Sequence, residues 1–137
     1  NNLTIQALQN KKINVFGGKQ IRPNVNIADI SRIFQHFIFK GKKIKSGFYN
    51  AGFENLSILK IAKIIQNLTG SKITVTKNDN DPRSYRQNSD KLLATGFVNN
   101  FSVQHAIEEI MKKYSGGEID DRDEYYTVKT MKNLGLN

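Results

Sequence analysis

The sequence contains no cysteine and no apolar run of the ~20 residues that a membrane-spanning helix needs. Without cysteine the chain can form no disulfide, no thiolate metal site and no cysteine nucleophile. Its first residues also lack the charged and then apolar pattern of a secretory signal. We therefore expect neither a membrane protein nor a disulfide-stabilised one, and these absences are compatible with the cytoplasmic location that we expect.

The rest of the composition is that of an ordinary globular domain. Hydrophobic residues make up 38% of the chain and charged residues 24%, which is typical of a soluble protein. A length of 137 residues suits one domain and is long enough to bury a core. Neither His36 nor His105 has a second histidine or a carboxylate at ligand spacing, so we expect no metal site.

Acidic residues are scarce relative to basic ones, because 12 against 21 give a formal net charge of +9. A charge of this size raises the possibility of a nucleic-acid partner. The excess is mostly lysine, however, with 16 lysines against 5 arginines, and it comes with 16 asparagines and 16 isoleucines. AT-rich codon usage yields this combination whatever the function. The one tight lysine cluster, residues 40–45, falls in an expected loop, where a solvated role is the ordinary one.

Apolar residues at helical spacing predict five helices, and glycines close the last four of them. Asp29 suits the N-cap or the first turn of the second helix, and Ser57 and Ser102 suit the caps of the third and fifth. We predict helices at residues 3–8, 30–38, 58–68, 89–93 and 103–114.

Strand signals are fewer and shorter than helix signals. The segment 72–77 alternates apolar and polar residues, as a half-buried strand does. Pro23 biases Arg22 towards an extended conformation, which we expect to continue through residues 25–27. Further strands are predicted at residues 13–16 and 47–50. The fold class is therefore α/β, a small helix-rich unit with too few strands for a large sheet of its own.

Two polar, turn-rich segments each carry arginine ahead of a helical pattern. The first is GGKQIRP at residues 17–23, and the second is DPRSYRQNSDK at residues 81–91. Arginine presents a planar fork of donors that matches phosphate oxygens, and a glycine turn lets backbone approach a ligand closely. The structural alternative for both segments is ordinary solvated turn chemistry, for which Asp-Pro is a good starter.

Five local patterns, taken in order, resemble the C-terminal part of the extended short-chain dehydrogenase/reductases. These are the NAD-dependent sugar-nucleotide epimerases and dehydratases, of which UDP-galactose 4-epimerase is the familiar example. Asn26 stands where this family usually has histidine in its Val-His-Val-x-Asp-Val segment. The patterns are NNL at 1–3, INVFGGKQIR at 13–22, VNIADI at 25–30, YNAG at 49–52, and DPRSYRQNSDK at 81–91 followed by a short helix and Gly-Phe.

The resemblance implies a set of substrate-binding residues. It implies that Arg22 contacts the nucleotide diphosphate, and that either Arg83 or Arg86 does so from the second loop. It implies that Asp81 can accept a hydrogen bond from a ribose hydroxyl and that Tyr85 can line the sugar pocket. Asn2 resembles a side chain that bonds the sugar or its phosphate, and Leu3 follows it at the start of the helix beside the substrate.

The family's cofactor motif and catalytic residues are missing. No Gly-x-x-Gly-x-x-Gly follows a strand, so NAD or NADP would be bound by an N-terminal Rossmann half, on the same or a separate chain. Tyr125 and Lys129 have the spacing of the catalytic Tyr-x-x-x-Lys, but they follow the substrate-binding part, and we take the match as coincidence. The resemblance thus implies part of an enzyme that is inactive alone and homodimeric when complete.

We expect a substrate-binding C-terminal domain at residues 1–117 and a charged tail at residues 118–137. The chain would then be a fragment, a split-gene product or the ordered remainder of a longer protein. Two alternatives stay open. One is a non-enzymatic basic module that binds nucleic acid through residues 40–45, and the other is a structural partner of a separate NAD-binding chain.

Overall fold

The computed structural model describes residues 1–77, 83–119, 122 and 127–135, and their fold is a small mixed α/β unit. Strands β1 and β2 lie between α1 and α2, β3 lies between α2 and α3, and β4 precedes the remaining helices. In chain order the elements are α1 Asn2–Asn10, β1 Lys12–Phe16, β2 Ile21–Asn24, α2 Ile27–Lys40, a 3₁₀ turn Gly41–Lys43, β3 Glu54–Ser57, α3 Ile58–Thr69, β4 Lys72–Thr76, α4 Asp90–Leu93, α5 Val103–Ser115 and α6 Thr127–Asn133.

The main core lies between a parallel strand pair and three helices. β1 and β4 pair in parallel, with Ile13 opposite Ile73 and Val15 opposite Val75. Helices α1 and α3 pack against β1, and α5 packs against both of these helices. Apolar side chains on this side of the strands are therefore buried away from water. This hydrophobic burial is the main force that stabilises the unit. The fully buried members of this core are Ala7, Ile13, Val15, Ala62, Ile65 and Ile107.

A second, antiparallel pair holds the first arginine segment. β2 pairs with β3, and Arg22 lies opposite Leu56. The turn between β1 and β2 uses Gly17 and Gly18, whose φ angles of 68° and 90° favour glycine. The carbonyl oxygen of Gly18 accepts from the backbone N–H of Leu59 at 2.9 Å, which ties this turn to the start of α3.

Two predicted extended segments are wrong. In the first case strand pairing between residues distant in sequence determines where the strand forms, and in the second a helix cap determines where the extended segment ends. No strand forms at residues 47–50; the strand of this region is β3, a few residues later, where β2 supplies a partner. Residues 25–27 are not extended throughout, because α2 begins at Ile27. The side chain of Asn26 caps that helix by accepting from the N–H of Ala28 at 2.8 Å, and Asp29 lies in the first turn.

The other predicted helices are confirmed within a residue or two. Ser57 and Ser102 cap α3 and α5 by accepting from the N–H groups of Lys60 and His105. The predicted tail contains a helix that the sequence patterns did not indicate, α6 at Thr127–Asn133. None of the helices in the described ranges is long and apolar enough to cross a membrane.

Candidate functional site

A cavity of about 560 Å³ lies where α1, β2, α3 and α5 meet. The apolar part of its lining is formed by residues of the three helices, among them Ile58, Ile61 and Ile110. The polar residues that line the cavity are Asn1, Asn2, Thr4, Arg22, Asn24, Asn26, Glu54 and Ser102.

The strand pairing of β2 fixes the backbone of Arg22 beside this cavity. The amide of Asn24 adds two hydrogen bonds, to the carbonyl oxygen of Arg22 at 2.8 Å and to that of Glu54 at 3.0 Å. These bonds join the end of β2 to the start of β3. The arginine is therefore held on a paired strand rather than in a free loop, which makes its position more precise.

The guanidinium of Arg22 contacts the second arginine segment directly. Its Nη1 donates to the carbonyl oxygen of Ile21 at 3.0 Å and to the carbonyl oxygen of Arg83. Its Cζ lies 5.3 Å from the centroid of the Tyr85 ring, in cation–π contact. The fold thus brings Arg22 together with Arg83 and Tyr85, each of which lies 61 or more residues later in the chain.

Backbone and side-chain hydrogen bonds hold the second segment along β2 and β3. The N–H of Tyr85 donates to the carbonyl oxygen of Ile21 at 3.3 Å, and the N–H of Ile21 donates to Ser84 Oγ at 3.0 Å. Farther along, the Asn55 side chain accepts from the N–H of Gln87 at 2.9 Å and donates to its carbonyl oxygen at 3.0 Å. These hydrogen bonds attach residues 84–87 to both β2 and β3.

Gly52 is the point where this segment packs most closely. Its N–H donates to Ser89 Oγ at 2.9 Å, and a Cβ added there would lie 2.8 Å from the Cβ of Pro23 and 2.4 Å from Gln87 Oε1. We expect Gly52→Ala to push β2 and residues 84–89 apart and to cost about 1–3 kcal/mol of unfolding free energy. Chemical denaturation measures this cost.

Gly41→Ala is the matched control for the Gly52 variant. Gly41 has a right-handed φ of −55°, and a Cβ built there meets no atom within 4 Å. We expect this substitution to change the unfolding free energy by no more than about 0.5–1 kcal/mol, in the stabilising direction. Equal losses in the two glycine variants would contradict the close packing inferred at Gly52.

The remaining predicted site residues are distributed as follows. Asn2 and Leu3 line the same cavity as Arg22. Arg86 is exposed and lines a separate cavity beside Gly52 and Asp90, whereas the backbone carbonyl oxygen of Arg83 contacts Arg22. Asp81 lies outside the described residues, and so does Tyr125 of the Tyr-x-x-x-Lys match.

Glu54 is a cavity residue that the sequence patterns did not indicate. Its Oε2 accepts from the backbone N–H of Val103 at 2.5 Å, at the start of α5. A carboxylate is favourable there because the first N–H groups of a helix have no partner within it. No local signal marks this residue, since its partner lies 49 positions away in the chain.

The histidines pack against neighbouring side chains. His36 Nε2 lies 2.8 Å from Thr95 Oγ1, with its ring against the edges of Phe37 and Phe97, and His105 packs on Phe101. Over the described ranges, no group of three or more histidine and acidic side chains could hold a metal ion.

The glycine turn does not fit a dinucleotide. A dinucleotide cradle needs a strand, a glycine turn and then a helix whose N-terminus faces the pyrophosphate. Here Gly17 and Gly18 lead into β2, and a Cβ on Gly18 would meet Val15 and Leu59, so protein already fills the space beside the turn. The described part of the chain therefore offers no cradle for NAD at its glycine turn.

Comparison with solved structures identifies the fold. A scan against protein-family models and a search of curated proteins both find no match. ADP-L-glycero-D-manno-heptose-6-epimerase of Helicobacter pylori matches over 81% of this chain, with a TM-score of 0.62 and 23% identity. UDP-glucuronic acid 4-epimerase of Bacillus cereus, solved with UDP-glucuronic acid and NAD, matches over 77%, with 0.60 and 24%. An NAD-dependent NDP-hexosamine 5,6-dehydratase of tunicamycin biosynthesis matches over 84%, with 0.69 and 16%.

The match covers 35%, 36% and 39% of these three enzymes, so the chain spans little more than a third of their length. The similar structures are sugar-nucleotide epimerases, dehydratases and reductases. At these identities the likeness establishes the fold, which is a part of the extended short-chain dehydrogenase/reductase fold. The fold that this resemblance implied is therefore confirmed.

Proposed function

We propose that this chain is the C-terminal, nucleotide-sugar-binding part of an NAD-dependent sugar-nucleotide epimerase or dehydratase. The observation that carries the proposal is the placement of Arg22. It lies on a paired strand, lines a cavity with Asn2 and Leu3, and contacts Arg83 and Tyr85 of the second segment. The shared fold supports the same role, because the similar structures act on nucleotide sugars.

In this proposal Arg22 binds the diphosphate through its guanidinium fork. Between the two candidates in the second segment, the geometry favours Arg83, whose backbone contacts Arg22, over Arg86, which lines another cavity. Tyr85 supports the guanidinium from one side and offers its exposed edge to the sugar or base. Asn2 and Leu3 line the end of the cavity that would hold the sugar. Asp81 remains a predicted ribose contact.

The redox step belongs to a part of the enzyme other than the described residues. NAD or NADP would supply hydride transfer, and an N-terminal Rossmann half would bind it, on the same or a separate chain. The role of this chain is to hold the substrate in register with that half, which lowers the barrier by orientation. Residues 1–117 carry this function, in a cytoplasmic enzyme that is homodimeric when complete. Whether that enzyme is an isomerase, a lyase or an oxidoreductase depends on the other half.

Equilibrium binding tests the proposal on the 137-residue chain. The probes are ADP, GDP, UDP, CDP and dTDP, each compared with its own nucleoside by calorimetry. We expect at least one diphosphate to bind at least about tenfold more tightly than its nucleoside, because a charged hydrogen bond contributes about 1.5–3 kcal/mol. Equal affinities for diphosphate and nucleoside, or no binding of any diphosphate, would overturn the phosphate-binding role.

Turnover assays test the division of labour between the two halves. The purified chain, supplied with NAD and a nucleotide sugar, should show no epimerase, dehydratase or reductase activity. In a complete enzyme, Tyr125→Phe should leave turnover unchanged, because we take the Tyr-x-x-x-Lys match as coincidence. Measurable turnover by the 137 residues alone would contradict the proposal that catalysis requires another half.

A further inference from the structure

A second cavity, separate from the Arg22 cavity, is lined by four lysines. It has a volume of about 370 Å³ and shares no lining residue with the first cavity. The lysines come from three parts of the chain: the end of α2, the 3₁₀ turn with the loop after it, and α4. The lining residues are Lys40, Lys43, Ile44, Lys45, Tyr49, Lys91, Ala94 and Thr95.

The packing around Tyr49 makes this cavity a defined structure. The Tyr49 ring lies 5.1 Å from the Phe37 ring, and its hydroxyl donates to the carbonyl oxygen of Lys45. Lys91 Nζ lies 4.3 Å from the centroid of the same ring and donates to the carbonyl oxygen of Phe48 at 2.8 Å. The loop after α2 is thereby attached to α4, which brings the lysines of the two segments to one place.

The charge in this cavity is unbalanced. None of the described residues that line it is acidic, so like charges meet there without a carboxylate between them. Mutual repulsion disfavours such an arrangement, and an anion that binds among the ammonium groups relieves it. Lysines 40, 43 and 45 are exposed, so their flexible side chains can reach an anion in the cavity.

We propose that this cavity binds a compact anion that carries two or three linked phosphate groups, a function additional to the one proposed for Arg22. Compactness follows from the shape, because the lysines converge on one cavity rather than forming a stripe along the surface. A single-stranded nucleic acid would need aromatic rings open for stacking within the basic groove. The one ring that lines this cavity, that of Tyr49, is covered by Lys91 and Phe37, and the exposed rings of Phe39 and Phe48 lie outside its lining.

The probe for this site is inorganic triphosphate, titrated calorimetrically into the 137-residue chain at low salt. We expect Lys43→Gln/Lys45→Gln to weaken binding at least about tenfold, since each charged hydrogen bond contributes about 1.5–3 kcal/mol. The matched control, Lys60→Gln/Lys63→Gln, removes the same charge from exposed positions on α3 outside the cavity. We expect it to change the affinity by less than about twofold, because salt screens distant exposed charges. Thermal unfolding verifies that both double variants fold.

Four outcomes would overturn this proposal. In the first, triphosphate fails to bind the parent chain. In the second, the two double variants lose affinity equally, which would indicate that net charge rather than a defined site binds the anion. In the third, a thymidine oligonucleotide binds much more tightly than triphosphate and depends on Lys43 and Lys45, which would indicate a nucleic-acid surface. The variants leave Arg22 unchanged, so triphosphate bound in the Arg22 cavity would keep its affinity in Lys43→Gln/Lys45→Gln. That fourth result would overturn this proposal and leave the one for Arg22 intact.

Discussion

Asp29→Ala is expected to remove about 3–5 kcal/mol of unfolding free energy, as loss of one partner from a buried charge network does. The Asp29 side chain is fully buried in the first turn of α2. Its carboxylate accepts from Arg32 Nη1 at 2.5 Å, from the N–H of Asn100 at 3.1 Å to both oxygens, and from the N–H of Phe101 at 3.0 Å. Alanine would leave all of these donors without their acceptor, and a buried donor without a partner is costly.

Urea denaturation of three variants tests this expectation. Asp29→Asn keeps one acceptor oxygen without the charge. Its loss of unfolding free energy should therefore fall between zero and the loss in Asp29→Ala. Glu109→Ala is the control, because Glu109 forms a half-exposed surface pair with Lys113 at 3.7 Å, and such pairs contribute at most about 1 kcal/mol. If Asp29→Ala costs no more than Glu109→Ala, the carboxylate does not hold the segment around residue 100 against α2.

Arg22→Ala should reduce the affinity of the chain for its preferred nucleoside diphosphate by about tenfold or more, measured by calorimetry. The substitution removes both the cation and the cation–π contact with Tyr85. It also removes donors to the carbonyl oxygens of Ile21 and Arg83, so residues 83–85 lose one attachment to β2. Arg22→Lys should recover only part of the affinity, because an ammonium group lacks the planar fork that matches phosphate.

Lys19→Gln is the control for the Arg22 variants. Lys19 is exposed and lies in the same glycine-containing turn, so the variant removes one positive charge nearby. We expect its effect on diphosphate affinity to be small and to vanish at high salt. Full recovery by Arg22→Lys would show that charge alone is recognised. Equal losses in Arg22→Ala and Lys19→Gln would assign the binding to the general basic surface.

Helices α1 to α5 were predictable because their signals are local. Helix α3 carries its cap at Ser57 and its stop at Gly70, which has a left-handed φ of 69°, and its apolar stripe lies between them. The strand β3 was not predictable, because ENLS has no alternation and becomes a strand only where β2 offers a partner 30 or more residues earlier.

The residues of the candidate site also differ in how far local sequence signals indicate them. Arg22 could be chosen as a candidate because a glycine turn precedes it and a helical pattern follows it. Its contact with Arg83 could be inferred only through the family resemblance, because nothing in either segment encodes their pairing. Glu54 was missed, since its role depends on the distant N–H of Val103. The different positions of Arg83 and Arg86 follow from hydrogen bonds that fix residues 84–87 beside β2 and β3.

The most direct test of the central claim is to map the bound nucleoside diphosphate by amide chemical shifts on the ¹⁵N-labelled chain. The account predicts that the preferred diphosphate shifts the amides of Asn2, Leu3, Arg22 and residues 83–85 together, with a common dissociation constant. Its nucleoside should shift them far less. Shifts confined to residues 40–45 and Lys91, or a diphosphate that leaves Arg22 and residues 83–85 unmoved, would contradict the claim that this fold holds a nucleotide sugar.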